Sequence, residues 1–79
     1  MELLEKSLGL QVLVELKGRR KLKGRLRGFD QHVNLILDDA EEYVPAPDDG
    51  GERVEQIDSI IVRGDNVVLV SPPNTSTKE

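Results

Sequence analysis

The sequence predicts a mostly β domain: a short N-terminal helix, then five antiparallel strands bent strongly enough to form a small open barrel. Three observations predict it. Apolar and polar residues alternate over 10–17 and again over 21–28, the period of a half-buried strand. Gly24 and Gly28 fall on the inward face of the second run, where a strand must bend sharply or be closely approached. The chain has 79 residues, and so short a bent sheet leaves edges that have to be closed or paired.

The elements follow in order. Leu3, Leu4 and Leu8, with Glu2 and Glu5 in the first turn, predict an amphipathic helix over 1–8 that Gly9 ends. Leu10, Val12, Val14 and Leu16 form the apolar face of a first strand. Lys17-Gly18-Arg19 is a turn signal. In the second strand Leu22 and Leu26 point inward, and Lys21, Lys23, Arg25 and Arg27 outward. Val33, Leu35 and Leu37 define one face of a third strand, with His32, Asn34 and Ile36 on the other. Residues 38–53 hold Pro45, Pro47, Gly50 and Gly51, so the strands are expected to break there into a solvated acidic loop. Residues 54–62 make a fourth strand, Arg63-Gly64-Asp65-Asn66 a tight turn, and 67–70 a fifth strand apolar enough to be covered on both sides. A single domain over 1–71 and a disordered tail over 72–79 complete the expectation.

Composition narrows the function. The chain has no cysteine and one histidine, which removes disulfides, zinc–thiolate sites and thiol nucleophiles. It also fits a reducing, cytoplasmic setting. No apolar run approaches the ~20 residues of a membrane span, and the N-terminus lacks a signal peptide's regions. No nucleophile elbow, phosphate loop or clustered metal ligands occur, so neither an enzyme nor a cofactor is expected. His32 with Asp30 two residues away is the one candidate acid–base pair.

The net charge of −4 hides two opposite blocks. Residues 17–27 carry seven basic side chains and no acidic one, whereas 38–58 carry nine acidic and one basic, Arg53. The basic block reads either as the solvated face of an edge strand or as a footprint for a polyanion. Single-strand binders built on sheets usually stack bases on aromatic rings. Phe29 and Tyr43 are the only aromatics of that kind, and Phe29 reads as core or interface. A histidine ring and an arginine plane are then the available stacking surfaces. If the turn at 30–34 meets the turn at 63–66, His32 and Arg63 can sandwich a base. Asn34, donor and acceptor at once, suits the mixed edge of uracil. Gly64 would let backbone approach a ligand closely.

At these residues the sequence resembles the Sm and Sm-like (Lsm) family, most closely its archaeal members. The first family motif is similar to residues 22–37, including Phe29-Asp30-Gln31-His32-Val33-Asn34, and the second to Ile60-Ile61-Val62-Arg63-Gly64-Asp65-Asn66-Val67. The resemblance covers about Leu8 to Val70. It implies a bent five-stranded barrel whose fourth and fifth strands pair with neighbouring subunits. It further implies a homo-oligomeric ring, a heptamer, binding U-rich single-stranded RNA at the inner rim, one base per subunit. By matching position, His32 and Arg63 would stack the base and Asn34 would bond its edge. Asp65 would support them, Gly64 would give the close approach and Asp30 would brace the loop. Val33 departs from the methionine of many members, and the bacterial branch's lysine–histidine pair is absent. The outward face of Lys21, Lys23, Arg25 and Arg27 lies outside the implied pocket, either as a second RNA-contacting surface or as a balance for a neighbour's acidic loop. A ring-shaped scaffold acting mainly through protein contacts is the alternative function, and a monomeric protein-binding barrel is a third.

Overall fold

A computed structural model describes residues 2–46 and 51–72. Helix α1 (Glu2–Ser7) is followed by β1 (Gln11–Leu16), β2 (Arg20–Phe29), β3 (Leu35–Ala46), β4 (Gly51–Val62), a 3-10 turn (Gly64–Asn66) and β5 (Val67–Ser71). The strands form one antiparallel sheet in the order β4-β3-β2-β1-β5. The mostly β fold with its short helix is the one the alternation predicts.

α1 buries Leu4 and Ser7, whose hydroxyl donates to the Leu3 carbonyl oxygen at 2.7 Å. Gly9, at φ +81°, turns the chain out of the helix. Its N–H donates to the Leu26 carbonyl at 2.8 Å, and the Leu26 N–H donates to the Leu10 carbonyl at 2.9 Å. Leu10 is thereby held by its backbone, and its side chain is 59 % exposed rather than inward. The core is Val12 and Val14 of β1, Leu22 and Leu26 of β2, Leu35, Leu37 and Ala40 of β3, with Val62 and Leu4 closing the ends.

The bend lies where the glycines suggested. A Cβ on Gly24 would sit 3.2 Å from Ala40 and from the Asp38 carbonyl oxygen, so β2 presses on β3 there. The β2–β3 register slips between Lys23 and Arg25 and again between Leu26 and Gly28. Such slips increase local twist and bend the strand.

Three expectations are corrected. The acidic segment is mainly strand: β3 runs to Ala46 and β4 starts at Gly51, leaving only 47–50, with Pro47 and Gly50, outside the described residues. Pro45 is accommodated because the β2–β3 register ends at Tyr43, so β3 has β4 alone as partner there. The basic face is on the central strand, not an edge. Its charges meet the carboxylates of the adjacent β3: Arg25 with Asp39 at 2.9 Å, Arg27 with Asp38 at 3.5 Å, and Lys23 in register with Glu41, while Arg20, in phase with Leu22 on the opposite face, pairs with the buried Glu42. On the other side Lys21 is in register with Glu15. The two blocks of the sequence therefore balance each other inside one chain. Finally, among the described residues β5 pairs only with β1, and in the single chain Val68 and Leu69 are 62 % and 50 % exposed rather than covered. Beyond Pro72, the predicted tail lies outside the described residues.

Candidate functional site

The turn between β2 and β3 and the turn between β4 and β5 come together at one end of the sheet. His32, Val33 and Asn34 do not belong to the third strand as predicted. They form the turn before it, because Asp30 captures the backbone locally. The Asp30 Oδ1 accepts the N–H of His32 at 2.8 Å and of Asn34 at 3.1 Å, and Oδ2 accepts the Asn34 side-chain N–H at 2.9 Å. An aspartate bonding the backbone two residues on is a standard alternative to strand pairing. These bonds, the Asn34 amide foremost and the two backbone N–H groups with it, hold the Asp30 carboxyl below its ordinary range. Both carboxylate oxygens thus serve the loop. The geometry is that of a brace, and it does not support the acid–base reading of the pair.

Asn34 also joins the two turns. Its Oδ1 accepts the Gly64 N–H at 2.6 Å, with Nδ2 turned to Asp30. One N–H and one lone pair of the amide are used in this way, which by valence leaves one of each. Gly64 makes the meeting possible, since a Cβ there would overlap the His32 carbonyl oxygen. In the structure Gly64 makes its close backbone approach to the facing loop, at the His32 carbonyl.

Arg63 stands in extended backbone before the 3-10 turn, and its carbonyl accepts the Asn66 N–H at 3.0 Å. Its guanidinium is 76 % exposed and lies 3.2 Å from the Asp65 carboxylate, which holds the plane without burying it. His32 is also exposed. A cleft of about 460 Å³ is lined by His32, Asn34, Arg63, Gly64 and Asp65. These are the five residues singled out from sequence.

A second cleft of about 460 Å³ adjoins it, sharing Asn34 and Arg63 and adding Phe29, Asp30, Ile36 and Ile61. Sequence reasoning had not placed Ile36 and Ile61 at the site. Their outward phase on β3 and β4 was the available signal: they pair across the two strands and are 38 % and 70 % exposed. Phe29 is half-buried and packs on the core, close to its expected role. Among the described residues, no group of histidines, cysteines or carboxylates is arranged to hold a metal ion.

The LSM domain matches residues 2–72. An snRNP Sm-like protein of Methanosarcina acetivorans is 46 % identical over 72 residues, spanning 91 % of this chain and 93 % of that protein. The crystal structure of a heptameric archaeal Sm protein superposes with a TM-score of 0.79 at 46 % identity, over 91 % of this chain and 97 % of the other. The Pyrococcus abyssii Sm protein in complex with a uridine heptamer superposes with a TM-score of 0.75 at 39 % identity, over 90 % and 93 %. The bent sheet, the two joined turns and these matches together make the chain a member of the LSM, or Sm-like, family.

Proposed function

We propose that the chain is a non-catalytic subunit of a homo-oligomeric ring, a heptamer, that binds U-rich single-stranded RNA at its inner rim, one base per subunit. The reading is carried by one observation, the Asn34 amide fixed between Asp30 and the Gly64 N–H within a cleft flanked by His32 and Arg63. A base entering this cleft stacks between the imidazole and the guanidinium. The remaining N–H of Asn34 donates to uracil O4, and its remaining lone pair accepts from uracil N3–H. Adenine presents the opposite order of groups at its edge, so the pre-set amide discriminates against it.

The sheet supports assembly as well. β4 and β5 are its two edges, and both carry exposed apolar side chains, Val54 and Ile61 on one and Val68 and Leu69 on the other. Pairing the β4 edge of one copy with the β5 edge of the next is a heterologous contact that closes into a ring and removes both edges. A homologue that is heptameric and another solved with a uridine heptamer agree with this reading. One base per subunit is a weak contact, and repetition around the ring raises its effective concentration. Such a ring suits RNA processing or ribonucleoprotein assembly.

Fluorescence anisotropy with oligo-U and oligo-A of equal length tests the pocket. Preferential oligo-U binding that Asn34→Ala abolishes is expected. Equal binding of the two, or an unchanged Asn34→Ala variant, would favour the scaffold role acting through protein contacts.

A further inference from the structure

We propose that Val33 is a positioning residue of the base cleft: its left-handed backbone sets His32 and Asn34, and burial of its own side chain sustains that conformation. The role in binding rests on the RNA reading above. Val33 has φ +64°, a conformation that a β-branched side chain adopts only under strain. It is also the residue between the two proposed base contacts.

Two sets of contacts hold it there. On the loop side, the Val33 N–H donates to the Asp30 carbonyl at 3.0 Å, and the Asp30 N–H donates to the Asn34 carbonyl at 3.2 Å. The chain thus closes on itself, and Val33 is the corner that returns it to β3. On the other side, its half-buried isopropyl group packs on the core. There it lines an apolar groove of about 360 Å³ with Leu3, Leu4, Val67 and Val70. Gly64 lines this groove and the base cleft alike, so the two sites share a wall. Strained backbone persists where its surroundings over-determine it, and it concentrates at binding sites because it fixes geometry before the ligand arrives.

Glycine and methionine separate anchoring from strain. Val33→Gly relieves the backbone and removes the anchor, whereas Val33→Met keeps an apolar anchor without branching at Cβ. Val33→Gly is expected to melt no lower than Val33→Ala, because alanine keeps the penalty at positive φ. It should nevertheless bind oligo-U about tenfold more weakly than wild type, with the loss repeated around the ring. Val33→Met should bind within about twofold of wild type, since its anchor is intact. A ligand-free readout accompanies these: the Gly64 amide, bonded to Asn34, should lose hydrogen-exchange protection in Val33→Gly and keep it in Val33→Met. Wild-type affinity and wild-type Gly64 protection in Val33→Gly would overturn the proposal. Loss of that protection in Val33→Gly, together with no oligo-U preference in the wild-type protein, would uphold the positioning of the turn and overturn the RNA reading instead.

Discussion

Asn34 and Gly64, thirty residues apart in sequence, are joined by a 2.6 Å hydrogen bond from the Gly64 N–H to Asn34 Oδ1. This bond makes one cleft out of two turns. It also fixes which end of the amide faces Asp30, and hence which groups are left for a ligand.

Removing the amide should cost both stability and recognition. Asn34→Ala leaves the part-buried Gly64 N–H without its acceptor, and a loss of about 1–2 kcal/mol is expected in chemical denaturation. Asn34→Asp keeps the shape but sets a second carboxylate against Asp30. It should lower stability at neutral pH and recover part of the loss in acid, as followed by circular dichroism.

Gly64→Ala should be more disruptive than its size suggests. The added methyl overlaps the His32 carbonyl oxygen, so the two turns must separate. Overpacking against backbone costs about 1–3 kcal/mol. Thermal melting is expected to fall and oligo-U affinity to drop with it, whereas Gly18→Ala, with open space at its Cβ, should leave affinity unchanged despite its positive φ.

The brace has a pH signature. Asp30 has a lowered folded pKa, so its ionised form is favoured by folding. Its contribution is fully present above the ordinary carboxylate pKa and is lost as pH falls through the lower folded value. Hydrogen exchange at the His32 and Asn34 amides should therefore accelerate, relative to the sheet, only in that acid window. Asp30→Asn should remove the pH dependence and leave the turn looser at neutral pH.

Among the cross-strand ion pairs, burial decides which one matters. Glu42 is 6 % exposed and paired with Arg20, whereas Arg25 and Asp39 are both largely exposed. Arg25→Leu should change stability by less than about 1 kcal/mol. Arg20→Leu leaves a buried carboxylate without its partner and should destabilise clearly more in the same urea titration.

Much of this was legible in the sequence, for physical reasons that differ by residue. Val12, Val14, Leu22 and Leu26 are buried as their alternation requires, because a period of two is enforced along a sheet with one covered face. Gly24 marks the bend because a Cβ there would crowd Ala40 and the Asp38 carbonyl of β3 at 3.2 Å. The length of β3 and β4 was hidden. Asp38, Asp39, Glu41 and Glu42 look like loop residues alone, and become strand residues once Arg25, Arg27 and Arg20 face them. Alternation puts Val33 on one strand face with Leu35 and Leu37, whereas its positive φ depends on Asp30 capturing two N–H groups, a contest that periodicity does not register. The five cleft residues were identified, but that their turns meet is a property of the fold.

Native mass spectrometry of the full chain mixed with equal amounts of oligo-U and oligo-A tests the ring and its base preference together. The expected result is a closed ring at seven times the 8.8 kDa subunit mass, carrying oligo-U in preference to oligo-A. A species of 8.8 kDa alone, or a ring that takes up both oligonucleotides equally, would contradict it.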